Sequence, residues 1–224
     1  MKTQVLLIAF LLLVAGTLRA QDLPHWEKQG TATQLVVNGR PMLLLAGELG
    51  NSSASSAGDI ERIFPRLERI GLNTVLVPAY WDLIEPEEGT FDFSLIDKTI
   101  HEARQHGMKV VFLWFGAWKN SMSCYAPLWF KADYRKYPRC YTEAGKPLEI
   151  ASPFSENVFE ADSKAFVKLL EHIRQTDEKE NTVIMIQVEN EIGMLESARD
   201  HSETADKLFR SAIPDRLGKF LDEN

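Results

Sequence analysis

The chain has 224 residues, of which 45% are hydrophobic and 25% are charged, and its formal net charge is -7. An acidic chain of this kind is a poor candidate for binding nucleic acid or anionic membranes, and it suits a neutral, polar substrate. Its two cysteines, Cys124 and Cys140, lie in one irregular segment, where they either pair or remain free thiols. The scattered histidines and cysteines have no metal-ligand spacing, so no metal site is expected.

Residues 1–20 have the layout of a secretory signal peptide. Lys2 precedes an apolar run from Val5 to Ala15, and a small residue closes the segment. The run is too short for a comfortable membrane span, and an uncleaved single anchor is the alternative. We therefore expect an exported protein, periplasmic or extracellular, with no membrane contact after the signal is removed. Loss of Lys2 and Arg19 would change the net charge from -7 to -9.

The chain then alternates between β-rich and helical segments. The segment Gln34–Leu45 predicts a β-hairpin, because Asn38-Gly39 is a strong two-residue turn signal between β-rich flanks. Its second arm continues to Ala46 as the first core strand. The elements predicted next are a helix at 60–70 capped by Asp59, a strand at 73–78, a helix at 93–106, a strand at 109–115, an irregular segment at 116–153, a helix at 156–175 and a strand from 182. An irregular segment of that length is typical of a functional loop.

Strands that alternate with helices predict parallel pairing with right-handed crossovers. The strand spacing fits a (β/α)₈ TIM barrel or an open doubly wound sheet. No glycine-rich phosphate loop follows the first strand, which disfavours a nucleotide-dependent enzyme and any such cofactor. Four strands make half of an eight-stranded barrel. We therefore expect residues 21–33 to be a lead-in and residues 34–224 to be the N-terminal part of a truncated α/β barrel domain.

The apolar run from Thr182 to Gly193 is the most informative stretch, because it ends in Glu189, Asn190 and Glu191. Such a run is typical of a strand buried on both faces. Carboxylates at its C-terminal end are costly to bury unless they are paired or functional, and barrel active sites are built at that end. Burial and a neighbouring carboxylate keep a proton donor protonated. Glu191, which we expect to be buried there, is the candidate general acid.

Polar and aromatic residues follow each of the other predicted strands as well. They are Glu48, Tyr80, Trp81, Asp82, Glu85, Trp118, Lys119 and Asn120. Aromatic rings stack on sugars, so Tyr80 and Trp81 are either a sugar platform or packed core and rim residues. Trp118 and Asn120 are candidate substrate-binding residues.

Two further glutamates have more than one interpretation. Glu48 either contacts the sugar, orients Glu191 or forms a buried salt bridge. Glu189 is either a partner of Glu191 or an inward structural group.

Several stretches of the chain resemble clan-A glycoside hydrolases, most closely the family 35 β-galactosidases and more distantly family 42. They are Val37–Pro41, Gly47-Glu48, Gly71–Val75, Trp81–Pro86 with Glu88–Phe93, and Ile186–Gly193. The resemblance implies that Glu191 is the acid/base glutamate and that Asn190 holds the sugar 2-hydroxyl. The segments Gly50–Ser53 and Gly116–Tyr125 depart from the usual family 35 pattern, which indicates a divergent bacterial branch.

The resemblance implies an exported retaining enzyme that cleaves terminal β-linked sugars, above all β-galactosides. In this clan the nucleophilic glutamate follows strand seven, so no residue of this chain is assigned that role. We expect the fragment alone to hydrolyse no glycoside at a useful rate, and open sheet edges to weaken its stability. The alternative is a non-catalytic carbohydrate-binding module on the same fold.

Overall fold

The computed structural model describes residues 23–223, so the predicted signal peptide lies outside the described residues. The strands are β1 (His25–Gln29), β2 (Ala32–Val37), β3 (Arg40–Met42), β4 (Ala46–Glu48), β5 (Thr74–Tyr80), β6 (Lys109–Phe115), β7 (Arg139–Tyr141), β8 (Pro147–Ala151) and β9 (Val183–Gln187). The helices are α1 (Ala57–Arg69), α2 (Trp81–Ile84), α3 (Ser94–Gln105), α4 (Leu128–Ala132), α5 (Glu156–Asp177), α6 (Glu203–Phe209) and α7 (Asp215–Glu223). Across this part of the chain, no helix has the length and apolar character needed to cross a membrane.

A parallel sheet of four strands, in the order β4-β5-β6-β9, forms the centre of the molecule. The strands β5 and β6 pair over their whole length, from Thr74 opposite Lys109 to Tyr80 opposite Phe115. The helices α1, α3 and α5 each lie between two consecutive strands of this sheet along the chain. The predicted α/β fold with a parallel sheet is confirmed, as expected for part of a (β/α)₈ barrel. The strands β4 and β9 lie at its two edges, so β9 and the residues after it are separated from β4 by two strands.

Amphipathic helices pack against the sheet. Ile60 and Phe64 on α1 are buried, and each such side chain contributes about 1.5–3 kcal/mol through removal from water. The helix α1 begins earlier than predicted, because Ser56 rather than Asp59 is the N-cap and its side chain accepts a hydrogen bond from the Asp59 amide. Pro65 lies inside the helix without ending it.

The buried face of α5 largely coincides with its apolar stripe, since Leu169 is buried and Phe166 and Ile173 pack against the core. Phe159 is 62% exposed, whereas the buried positions are Val158, Asp162, Ala165 and Leu169. These positions recur every three or four residues and therefore share one side of the helix. The helix consequently places one carboxyl group, that of Asp162, among its core-facing side chains.

The predicted hairpin is confirmed at its turn. Asn38 and Gly39 have φ angles of 53° and 71°, as a tight two-residue turn between antiparallel strands requires. The second arm ends at Met42, and the first core strand is the separate β4. In addition, β1 pairs with β2, so part of the predicted lead-in belongs to a three-stranded antiparallel sheet.

The segment at 116–153, predicted to be irregular, contains α4 and the antiparallel pair β7–β8. Cys124 and Cys140 are both free thiols, which decides between the two states left open by the sequence. Cys140 is fully buried, and its burial raises the pKa of the thiol to about 12. This thiol therefore remains protonated and unreactive at neutral pH.

Candidate active site

The loops that follow β6 and β9 meet at the C-terminal edge of the parallel sheet. The two strands are parallel neighbours, so their following loops leave from the same edge. The backbone amide of Ser121 donates a hydrogen bond to the Glu191 carbonyl oxygen at 3.1 Å. Glu191 therefore lies at the edge where the sequence places it, in contact with the loop after β6. Its chemical role stays a prediction.

Lys119 joins the two candidate residues that follow β9. Its Nζ donates to Asn190 Oδ1 at 2.5 Å and to Glu191 Oε2 at 3.1 Å, and it lies 4.7 Å from the centre of the Phe115 ring. Lys119 is only 5% exposed, and burying its side chain would be costly without these partners. The sequence placed Lys119 among the loop residues but gave it no role, because nothing local indicates which oxygens a lysine will reach.

Glu191 is not buried, so the expectation of a buried acid is wrong. Its side chain is 58% exposed, while the Lys119 side chain that it contacts is 6% exposed. The neighbouring Val188 and Ile192 are also exposed, at 65% and 68%. The chain after β9 thus extends past the sheet. The apolar run that ends at Gly193 predicts a buried strand, but its last residues lie outside the core.

The backbone of both loops is strained. Glu189 and Glu191 have φ angles of 59° and 52°, and Asn120 and Ser121 on the facing loop have 55° and 57°. A left-handed conformation costs a residue other than glycine about 1–3 kcal/mol, and such residues cluster at functional sites. The strain here lies on both sides of the hydrogen bond between Ser121 and Glu191.

Beneath this edge, the carboxyl group of the half-buried Glu189 interacts with the buried carboxyl group of Asp162. Glu189 interacts with Asp162, which is 8% exposed and accepts a hydrogen bond from Trp114 Nε1 at 2.9 Å. Glu189 Oε2 accepts from the Trp118 amide at 3.3 Å, whereas its Oε1 is buried and has no hydrogen-bond partner among the described residues. Burial raises the pKa of Glu189 to about 10, with a further contribution from the Asp162 carboxyl. Of the two interpretations of Glu189, the geometry supports an inward group.

Asp162 was missed, although the sequence carries a signal for it. An acidic residue between the apolar positions 158, 165 and 169 of an amphipathic helix lies on the core-facing side. A buried carboxyl needs a partner, which is a reason to search for one.

Tyr80 and Trp81 are core residues. The Tyr80 ring is 3% exposed and its hydroxyl accepts a hydrogen bond from the Ala54 amide at 3.2 Å, and burial raises its pKa to about 12. Trp81 is fully buried and its Nε1 donates to Glu85 Oε2 at 2.8 Å. Its neighbours are the aromatic rings of Trp114, Trp129 and Phe130. A sugar platform at Trp81 is wrong, because these side chains enclose its ring.

Trp118 and Asn120 lie beside the edge that carries Glu191. The Trp118 ring donates from Nε1 to the Ala151 carbonyl at 3.1 Å and lines a cavity of about 750 Å³. Ile192 and Gly193, next to Glu191, line the same cavity. Asn120 is partly exposed in the strained loop. Both residues are therefore accessible near Glu191.

Glu48 lies apart from these residues. It ends β4, at the opposite edge of the sheet from β9, and three strand spacings amount to roughly 14 Å. Glu48 is exposed, and within residues 23–223 it takes part in no ion pair. The geometry therefore supports neither an orienting contact with Glu191 nor a buried salt bridge. Of the three interpretations of Glu48, a contact with the sugar stays open.

Comparisons with known proteins give a consistent set of relatives. A family model described as Beta-galactosidase matches residues 53–224. The chain is 29% identical over 207 residues to a β-galactosidase from Xanthomonas manihotis, covering 88% of this chain and 31% of that protein. It is 26% identical over 163 residues to a β-galactosidase from Halorubrum lacusprofundi, covering 70% and 22%. The chain thus spans less than a third of the length of these relatives.

Solved structures of β-galactosidases share the fold. The enzyme from Bacillus circulans sp. alkalophilus gives a TM-score of 0.58 at 17% identity, over 75% of this chain and 23% of that one. A catalytic mutant of a β-galactosidase from G. stearothermophilus gives 0.59 at 22% identity, over 81% and 25%. At such identities the likeness establishes the arrangement of the strands and helices.

Proposed function

Because the chain belongs to glycoside hydrolase family 42, we propose that it supplies the acid/base side of a retaining β-galactosidase. The assignment to family 35 is wrong, since the family whose pattern matches residues 53–224 is family 42. The observation that carries the proposal is the contact of Lys119 with both Asn190 and Glu191 at the C-terminal edge of the parallel sheet. This edge is where barrel enzymes assemble their active sites.

In the proposed reaction, Glu191 gives its proton to the glycosidic oxygen as the bond to the anomeric carbon breaks. A second carboxylate, about 5–5.5 Å away, attacks that carbon and forms a glycosyl-enzyme intermediate. Glu191 then takes a proton from water, which attacks the same carbon and releases the sugar and the second carboxylate. We assign no nucleophile within this chain and propose that it comes from a later strand of a longer polypeptide.

The contacts of Lys119 also give Asn190 a defined role. The Oδ1 atom of Asn190 accepts from Lys119, so the Nδ2 group is left to donate to an oxygen of the sugar. Glu191 is exposed at the surface, and a bound sugar ring would exclude water from it. Trp118 and Asn120 flank this position and would contact the substrate, a neutral β-galactoside.

Turnover of nitrophenyl β-galactoside tests the proposal. The 224-residue chain should give no useful turnover, and the product of the complete reading frame should be active. In the active protein, Glu191→Gln should lower kcat by about 10²–10⁴-fold, the contribution typical of a general acid. The control is Glu196→Gln, since Glu196 is 59% exposed and pairs with Lys146 on the surface. Robust turnover by the 224-residue chain would contradict the proposal that the nucleophile lies outside this chain. An unchanged kcat in E191Q would contradict the role of Glu191 as the general acid.

The second candidate is a non-catalytic carbohydrate-binding module. The exposure of Glu191 favours this alternative, because a general acid usually works in a site from which water is excluded. The same assay separates the two functions. Galactoside binding without turnover in the complete product would favour the module.

We also propose that the protein is exported, on the basis of the N-terminal segment at 1–20. N-terminal sequencing of the protein recovered from the periplasm or medium tests this. The mature chain should begin near Gln21, and recovery of the intact chain from the cytoplasm would contradict export.

A further inference from the structure

The pair Glu189 and Asp162 has a chemistry that the proposed reaction does not use. The two carboxyl groups interact beneath the candidate site, where Asp162 is 8% exposed and the Oε1 atom of Glu189 is buried. Two ionised carboxylates held in contact in a buried place repel each other strongly. One proton between them removes the repulsion and converts the contact into a hydrogen bond.

The surrounding donors indicate where that proton lies. Asp162 accepts from Trp114 Nε1 at 2.9 Å, and this donor stabilises its charged form. Glu189 accepts only from the Trp118 amide, and its Oε1 has no partner among the described residues. Glu189 is therefore the carboxyl that carries the proton and donates it to Asp162.

The charged groups on the adjoining elements do not neutralise the pair. The helix α5 contributes Asp162 itself, and the loop after β6 contributes Lys119, whose Nζ is bound to Asn190 and Glu191. The segment after β9 contributes Glu191, a further negative group. A shared proton is consequently the simplest source of charge balance within this cluster.

We propose that Glu189 and Asp162 share one proton, and that this pair fixes the left-handed turn that presents Asn190 and Glu191. Glu189 has a φ of 59° and is the residue immediately before Asn190. Its carboxyl ties the end of β9 to α5 through Asp162 and to the loop after β6 through the Trp118 amide. Glu189 is thus a positioning residue. The step from this positioning to catalysis by Glu191 rests on the proposed function, whereas the shared proton and the fixed turn do not.

The pair has a thermodynamic signature that does not depend on activity. In the unfolded chain Glu189 loses its proton near the ordinary glutamate pKa of 4.5, whereas in the folded chain its pKa is about 10. The folded state therefore binds about one more proton between these values, and stability falls as the pH rises through this window. Replacing Glu189 with glutamine keeps a donor for Asp162 and removes the titration.

The first test follows unfolding of the full chain by urea from pH 6 to pH 9. Glu189→Gln should release about one proton fewer on unfolding than the parent across this range, and the exposed control Glu196→Gln should match the parent. The infrared band of a protonated carboxyl at pH 7 should be present in the parent and absent in E189Q. An equal pH slope in the two proteins together with no such band would overturn the shared proton.

The second test measures positioning by hydrogen exchange of the Ser121 amide, which donates to the Glu191 carbonyl oxygen. Glu189→Ala should accelerate exchange of this amide by at least about tenfold, and E189Q should restore the parent rate because it keeps the hydrogen bond to Asp162. Unchanged exchange in E189A would overturn the positioning role. Failure of the galactosidase proposal would instead appear as unchanged turnover in E191Q, with these exchange and titration results intact.

Discussion

The paired strands β5 and β6 differ from the loops at their C-terminal edge in polarity and backbone conformation. The strands are buried, apolar and in continuous register. The loops after β6 and β9 contain a buried lysine, one member of the carboxyl pair and four residues with left-handed backbone. The sheet therefore supplies stability, while the loops hold conformations and charges that reduce it. Regions of the second kind are where function is expected.

The largest effect should come from the sheet. Phe112 on β6 is fully buried and lies opposite Val77 on β5 and Ile186 on β9. Phe112→Ala should lower the free energy of unfolding by about 3–5 kcal/mol, because it removes a large apolar side chain and leaves a cavity. Urea unfolding of the full chain measures this loss.

The matched control is a phenylalanine outside the core. Phe159 on α5 is 62% exposed, so Phe159→Ala should change the free energy of unfolding by less than about 0.5 kcal/mol. Similar losses in the two variants would mean that the sheet does not carry the stability, and the comparison between sheet and loops would fail.

The next effect should come from Lys119, and it should appear in activity. Lys119→Met removes the donor that holds Asn190 Oδ1 and Glu191 Oε2. In the active protein, kcat should fall by about 10²-fold, the loss expected when a reacting group is misplaced by about 1 Å. Lys119→Arg should recover part of the loss, because arginine also donates to both oxygens.

The control for Lys119 is Lys146, which is 65% exposed and pairs with Glu196 on the surface. Lys146→Met should leave kcat unchanged, since exposed ion pairs contribute about 0–1 kcal/mol. If K119M keeps the parent kcat, the contact with Glu191 has no catalytic importance. The proposal that the loops serve activity while the sheet serves stability would then lose its main support.

The same division explains what the sequence predicts and what it does not. The bounds of β6 at 109–115 follow from its apolar run, and the turn at Asn38-Gly39 follows from local chemistry. The fold class follows from the alternation of strands and helices.

The site is harder to predict, because its geometry depends on distant parts of the chain. The exposure of Glu191 and the enclosure of Trp81 are set by the loops and aromatic side chains that pack near them. The pair β7–β8 joins short strands with weak local signals. Asp162 is the exception, since its place on the buried face of α5 can be deduced from helical periodicity.

Gly116 joins the two regions and should give the smallest of the three effects. A Cβ atom there would overlap Asp162 Oδ1 and Trp114 Nε1, so Gly116→Ala must displace the hydrogen bond between them. We expect a loss of about 1–3 kcal/mol in the free energy of unfolding, typical of overpacking. Gly193→Ala is the control, because within residues 23–223 no atom other than those of Gly193 and its two chain neighbours lies within 4 Å of the Cβ position there. If G116A also accelerates exchange of the Ser121 amide, which donates to Glu191, the strained edge depends on packing beneath it, whereas unchanged exchange would make the two regions independent.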